Sequence, residues 1–381
     1  MIGKKPIRLP QLDALRTLAI VLVLGRHFDY APPASEKIAG AIMSLWYRVG
    51  WTGVDLFFVL SGYLISGLLF REYIQHGNVN LKRFLVRRGL KIYPAFFALF
   101  AATCVIRYHA HAFSIKEALA EALFVQNYFQ GQWLHTWSLA VEEHFYLGAA
   151  LGIAILTRRG GSNPFRNVPI AFAVIGAGCL SMRIINSLRH PDFDFFTQMC
   201  QTHLRADSLM FGVLLCYYDQ FHRERFRAML GKYRIPIALL SLTLISTTGY
   251  IDLETFYMHT IGPTALYVGF GGLLMLLLNS STAGRSRALG WIGRIGFYSY
   301  SIYLWHIDVR HTALAHVPMT HYWRLLAAYT VGSIALGIFM ARVVEIPVLF
   351  LRDRFFPAEA VAVKPAEAMQ HDENTPVELS T

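Results

Sequence analysis

LDALRTLAIVLVLGRH, from Leu12 to His27, is the stretch whose reading decides the fold. Its middle is an unbroken aliphatic run of the kind that partitions into lipid. An arginine stands near the start and a histidine closes the run. Lys4, Lys5 and Arg8 precede it, as the basic end of a secretory leader would. Arg16, however, interrupts the apolar core, and further apolar stretches follow along the chain. The segment therefore reads as the first membrane span of many rather than as a cleaved leader.

Working outward, a helix crosses the hydrocarbon core with about 20 mostly apolar residues. Ten segments qualify: 12–30, 51–70, 91–108, 133–156, 168–186, 199–218, 235–250, 261–279, 289–308 and 323–351. The seventh is short, and the stretch from Gly249 to Thr260 leaves room for a dip into the membrane. Composition agrees, with 55% hydrophobic and only 15% charged residues, where soluble domains carry roughly 25% charge.

The net charge of +11 would point to nucleic acid in a soluble protein. Here it maps onto loops, and no nucleic-acid partner is expected. With the N-terminus in the cytoplasm, the inside segments hold Lys4, Lys5 and Arg8, the basic residues between Arg71 and Lys91, Arg158, Arg159, Arg166, those between Arg223 and Arg234, Arg285, Arg287, Arg352, Arg354 and Lys364. The outside segments hold only Lys37, Arg48, Arg107, Lys116, Arg189 and Arg310. The positive-inside rule asks for this asymmetry, and it favours an even number of spans with both termini inside. The expected fold is an all-α, polytopic membrane bundle of about ten transmembrane helices over residues 1–356. The Ala-, Glu- and Pro-rich stretch 357–381 is expected to be a disordered cytoplasmic tail. Cys104, Cys179, Cys200 and Cys216 lie in apolar stretches without metal-ligand spacing, so they read as buried apolar residues and no metal site is expected.

Ionisable groups within a bilayer cost several kcal/mol, with estimates from about 2.5 upward. Each is thus a functional candidate: Arg16, His27, Asp55, Glu142, Glu143, His144, Arg183, His203, Arg205, Asp207, Arg294, His306 and Glu345. Arg16 and His27 are separated by three helical turns, so they share one face about 16 Å apart. Depth along the spans predicts two clusters. An outer one gathers His27, Asp55, Arg205, Asp207 and His306, with Glu142 near mid-depth. An inner one gathers Arg16, Arg87, Arg88, Lys91 and Glu345. The inner cluster is cationic and suits a phosphate-bearing ligand. The outer one offers bases and carboxylates suited to proton transfer. In WSLAVEEHFY, Trp137 to Tyr146, the residues Ser138, Glu142 and Tyr146 are spaced to share a helix face.

These motifs resemble the acyltransferase-3 family of bacterial integral membrane O-acyltransferases. The resemblance rests on LDALRTLAIVLVLGRH, GVDLFFVLSGYLI (Gly53 to Ile65), RRGLKIYP (Arg87 to Pro94), WSLAVEEHFY, RADSLMFG (Arg205 to Gly212), YSIYLWH (Tyr300 to His306) and VEIP (Val344 to Pro347). They run in the family's order over most of 11–350. The resemblance implies ten helices in the bacterial inner membrane and a cytoplasmic acyl-CoA donor, usually acetyl-CoA, as co-substrate with no bound cofactor. The implied acceptor is a hydroxyl on an extracytoplasmic glycan. It also implies that the essential arginine and histidine are Arg16 and His27, that Arg87, Arg88 and Lys91 contact the donor, and that Glu142 is the helix-four glutamate. The sequence departs from the pattern at Lys91, where arginine is common, at His144, where glutamine is usual, and at Asp308, where proline follows the histidine. Some members add a C-terminal hydrolase-like domain. These 381 residues carry none, so the membrane domain is expected to complete the transfer.

The expected chemistry follows. His27 is the candidate general base, or the site of an acyl intermediate. Asp55 either orients His27, contacts the acceptor or is a packed carboxylate. Arg16 either holds a donor phosphate or pairs with Glu345. Arg205 and Asp207 read as an internal ion pair, and His306 as an acceptor contact or a structural residue. Ser138 belongs with these acceptor-side or structural candidates. Two other readings are an acceptor that is a macrolide-like small molecule or lipid head group, and a proton-coupled secondary transporter. Against the transporter, no inverted repeat or paired broken helix appears.

Overall fold

Local signals set the helix ends. Gly77 adopts φ 69 and closes one long apolar helix, as an αL residue does at a helix C-terminus. The Asn80 side chain then accepts from the Arg83 N–H and opens the next helix. Ser114 and Ser286 cap two further helices in the same way. The computed structural model describes residues 9–158, 163–280, 283 and 286–357. Of the expected tail, 358–381 lies outside the described residues, as do Lys4, Lys5, Arg8, Arg159 and Arg285.

The described residues are helical with turns and carry no strand. In chain order the helices are α1 Pro10–Arg26, α2 Lys37–Gly50, α3 Gly53–His76, α4 Leu81–His109, α5 Ile115–Ala122, α6 Trp137–Arg158, α7 Val168–Arg189, α8 Phe195–Met199, α9 Thr202–Phe221, α10 Arg223–Lys232, α11 Arg234–Tyr250, α12 Phe256–Thr260, α13 Gly262–Asn279, α14 Arg287–Gly296, α15 Ser299–His316, α16 Tyr322–Met340 and α17 Ile346–Phe355, with a π turn at Ala341–Glu345 joining the last two. Six of these, taking α16 to α17 as one, are long and apolar enough to cross a membrane: α3, α4, α6, α7, α13 and Tyr322–Phe355. The α10–α11 pair passes only as a unit bent by 78°.

The first, sixth and ninth expected spans fall short of that measure, each for a physical reason. α1 has 17 residues. α9 carries Arg205, Asp207 and Asp219. The ninth span, expected at 289–308, is broken at Phe297–Tyr298 into α14 and α15, so His306 sits mid-helix rather than at a helix end. The short helices α2, α5, α8 and α12 lie between expected spans.

Burial divides the bundle into centre and rim. In α3, 78% of the apolar window is buried, against 17% for α7 and for Tyr322–Phe355. Outward residues such as Val174, Leu239 and Val331 are aliphatic and exposed, which suits a lipid-facing surface and a multi-pass membrane protein. α3 crosses α9 backbone to backbone. A Cβ on Gly62 would stand 1.9 Å from the Leu209 carbonyl oxygen, and one on Gly212 2.3 Å from that of Val59. Two apolar clusters fill the bundle, one about Leu56, Phe70, Phe165 and Leu274 and the other about Phe28, Phe58, Phe96 and Tyr329.

Candidate active site

Buried polar groups need partners, and following those partners traces the site. His27 follows the last turn of α1, and its Nδ1 lies 3.0 Å from the Val23 carbonyl oxygen and 3.1 Å from His306 Nε2. His306 Nδ1 in turn lies 2.6 Å from the Tyr303 carbonyl oxygen. A carbonyl only accepts, so His306 carries its proton on Nδ1 and presents an Nε2 lone pair. His27 must then carry its proton on Nδ1, shared between that lone pair and the Val23 carbonyl. His27 Nε2 is left with its lone pair free, which is the tautomer a general base requires.

A third histidine joins them. His135, absent from the sequence-based candidates, packs edge-on to His306 at 5.1 Å between ring centroids and to His27 at 6.5 Å. Its Nε2 is buried without a partner. Its carbonyl accepts from the Tyr303 hydroxyl, and Ser138 Oγ lies 2.7 Å from the same hydroxyl. Ser138 thus supports the histidine cluster through Tyr303. Among the described residues, no group of His, Cys, Asp and Glu is arranged to hold a metal.

From Ser138 the shared face of α6 leads to the cationic end. Glu142 Oε1 accepts from Ser61 at 2.8 Å, and Oε2 accepts from Tyr146 and faces Arg88 at 3.4 Å. Arg88 also bonds the Tyr146 hydroxyl and lies over its ring at 4.2 Å. Glu142, expected at mid-depth with the outer groups, is therefore bonded into the arginine cluster. Lys91 contacts Glu345, whose other oxygen accepts from Ser301 at 2.9 Å. Arg16 pairs with Asp13 at 3.0 Å. The alternative that paired Arg16 with Glu345 fails, because Lys91 occupies that carboxylate. Arg16, Arg88 and Lys91 still lie within electrostatic reach of one another. Arg87 points elsewhere, to Asp353 at 3.0 Å and the Phe356 carbonyl. Between α4 and α6, a cavity of about 430 Å³ is walled by Arg88, Tyr93, Pro94, Glu143 and Tyr146. Pro94 has no N–H to offer the preceding turn, so backbone polarity is left at that wall.

The remaining candidates form two buried ion pairs. Asp55 pairs with Arg205 at 2.5 Å and Asp207 with Arg183 at 2.9 Å. The expected Arg205–Asp207 pair is not formed, because residues two apart on a helix do not face each other. Asp55 has Arg205 as its partner, not His27. His144 Nδ1 lies 2.7 Å from the Thr202 hydroxyl. Of the cysteines, Cys179, Cys200 and Cys216 are buried and Cys104 is partly so.

A family model described as an acyltransferase domain matches residues 9–342. The peptidoglycan O-acetyltransferase OatA of Listeria monocytogenes is 27% identical over 83% of this chain and 52% of its own length. A putative O-acetyltransferase of Staphylococcus aureus strain COL is 28% identical over 80% of this chain and 51% of its own. The O-acetyltransferase OatA of S. aureus strain NCTC 8325 is 26% identical with the same coverage. The chain spans about half the length of these relatives. No solved structure matches.

Proposed function

The chain belongs to the acyltransferase-domain family, and on that premise we propose that it transfers an acetyl group from acetyl-CoA to a hydroxyl of a cell-surface or exported glycan. The relatives named above are O-acetyltransferases, one of them acting on peptidoglycan, and a cell-envelope glycan is the acceptor class taken here. The protein works as a multi-pass protein of the bacterial cytoplasmic membrane, with the donor reaching it from the cytoplasm.

One observation carries this reading: the hydrogen bonds to Val23 and His306 that leave His27 Nε2 as a free base. His27 Nε2 takes the proton of the acceptor hydroxyl as that oxygen attacks the thioester carbonyl. The tetrahedral adduct collapses, the carbon–sulfur bond breaks, and CoA leaves as its thiol with the proton that His27 took up. His306 keeps the His27 ring in register. Arg16, Arg88 and Lys91 grip the donor's phosphates, a task for fixed cations. Glu142 holds Arg88 in place. Arg87, bonded to the last helix, guards the entrance rather than the reacting centre. Asp55, Arg205 and Asp207 hold helices together and do not touch the acceptor.

The test uses membrane vesicles with radiolabelled acetyl-CoA, following base-labile label in the glycan fraction. General-base removal costs about 10²- to 10⁴-fold, so His27→Ala should lose at least a hundredfold of the wild-type rate. His306→Ala should lose less, because it frees the ring without removing it. Equal label in wild type and His27→Ala would remove His27 from the mechanism.

A further inference from the structure

α4 carries Arg88 near one end and Arg107 near the other. They stand nineteen positions apart, about 28 Å of helix, close to the thickness of a hydrocarbon core. At the Arg107 end lies a second cavity, of about 460 Å³, lined among others by Arg107, Gln126, Gln130, Gln132, Trp133 and Asp194. The proposed mechanism makes no use of it.

Its one cation is already matched. Arg107 pairs with Glu117 and donates to the Gln132 carbonyl at 2.8 Å. Asp194 accepts from the Thr197 N–H at 2.9 Å. The wall thus carries one cation against the two carboxylates of Glu117 and Asp194, a balance that disfavours an anion. What the wall offers instead is amides and an indole. Gln126 and Gln132 are 2% and 5% exposed. Gln126 donates to the Thr136 carbonyl at 3.1 Å and Gln132 to Cys104 Sγ at 3.4 Å. The Oε1 atom of each is buried without a partner. Two unmatched acceptors in one wall are costly, and a donor-rich ligand would satisfy them after a small side-chain rotation. Trp133 supplies the apolar part of the wall and packs edge-on to His135 at 6.3 Å. His135 is the third member of the histidine cluster, so one loop, 123–136, forms one wall of the cavity and a wall of the candidate site.

We propose that this cavity is an acceptor subsite for a neutral, N-acetylated saccharide unit, read by Gln126, Gln130, Gln132 and Trp133. Hydroxyl and acetamido N–H groups are the donors that the orphaned oxygens lack, and sugar C–H faces suit the indole. The inference rests on the glycan-acceptor reading above and names the part of the acceptor that is held.

The experiment uses the full chain in lipid nanodiscs and a β-1,4-linked N-acetylglucosamine tetramer as probe, with binding followed by calorimetry. A galacturonate tetramer serves as the anionic control. The neutral tetramer should bind in preference to the anionic one. Gln132→Leu should weaken binding about three- to tenfold, the worth of a neutral hydrogen bond, while the unfolding temperature stays level or rises because an orphaned acceptor is gone. Gln130→Ala, an exposed change at the rim, should weaken it in the same direction without touching the fold. No binding by the wild type, preference for the anion, or equal affinity in both variants would overturn the subsite. The two readings fail separately. If no label moves from acetyl-CoA to any glycan, the proposed function is wrong. If label moves but neither variant raises the KM for glycan, only the subsite is wrong.

Discussion

At the residue scale, the decisive groups owe their states to single partners. His27 carries its proton on Nδ1 because two acceptors face that atom. Asp55 and Arg205 are almost fully buried and hold each other at 2.5 Å. Removing one partner of such a pair leaves an uncompensated charge and costs about 3–5 kcal/mol, whereas replacing both by apolar groups is often neutral. Asp55→Asn should therefore lower the thermal unfolding temperature sharply, and Asp55→Leu combined with Arg205→Met should recover much of it. If both variants melt like wild type, the pair does not bear on stability. Much at this scale was legible in sequence. A polar residue inside an apolar run stands out, and helical spacing alone put Arg16 and His27 on one face. The choice of partner was not legible. Arg205 and Asp207 are neighbours in sequence, yet each finds its countercharge on another helix, Asp55 on α3 and Arg183 on α7. Only the packing of three helices fixes that choice.

At the element scale, the loop from Leu123 to Thr136 does what no span does. Phe124 sits at φ 55, a conformation that bulky residues avoid, and packs on Phe96. Glu121 bonds the Thr136 hydroxyl at 2.8 Å and the Trp133 N–H at 3.3 Å. His135 was missed in the sequence because nothing periodic marks it. It arrives through this folded loop rather than on a helix face. Burial pushes the Glu121 carboxyl up to about 7 despite those bonds. Its folded pKa lies above the ordinary value near 4.5, so the folded state binds the proton more tightly. The contribution to stability is complete below about pH 4.5, declines as pH rises, and is lost above about pH 7. Unfolding followed across that range should show stability falling with pH, and Glu121→Gln should flatten the decline. A variant that keeps the wild-type slope would acquit Glu121. The breaks between α14 and α15 and at the π turn were also not legible, because the apolar pattern continues through both. Glu345 lies in that π turn, a kind of irregularity that collects at functional positions.

At the scale of the whole molecule, the polar groups line up rather than scatter. Three histidines stand toward one end of the bundle and Arg16, Arg88 and Lys91 toward the other. Ser138, Glu142 and Tyr146 join them along α6. The charge asymmetry of the loops supports the proposed orientation, in which the arginine end faces the cytoplasm. In a background lacking the four native cysteines, a membrane-impermeant maleimide should label Asp192→Cys in intact cells and Glu224→Cys only after permeabilisation. The reverse pattern would invert the protein and with it the side from which the donor enters. The helical class and its apolar spans were plain from composition, since lipid leaves few other solutions. Which segments stand at the centre was not, because α3 and α7 are similarly apolar and differ only in what surrounds them.

The two buried ion pairs also constrain how the protein is made. With Arg205 and Asp207 inside its span, α9 is a poor substrate for the insertion machinery, where an ionised residue costs up to about 2.5–3.5 kcal/mol at a helix centre. Asp55 on α3 and Arg183 on α7 both emerge from the ribosome earlier than α9. Their countercharges are thus already in the bilayer when α9 leaves the translocon, and the order of synthesis supplies the partners that its own composition lacks. A chain permuted to place α9 ahead of α3 and α7 would present Arg205 and Asp207 to lipid alone, and should stall at insertion though every native contact remained available to it.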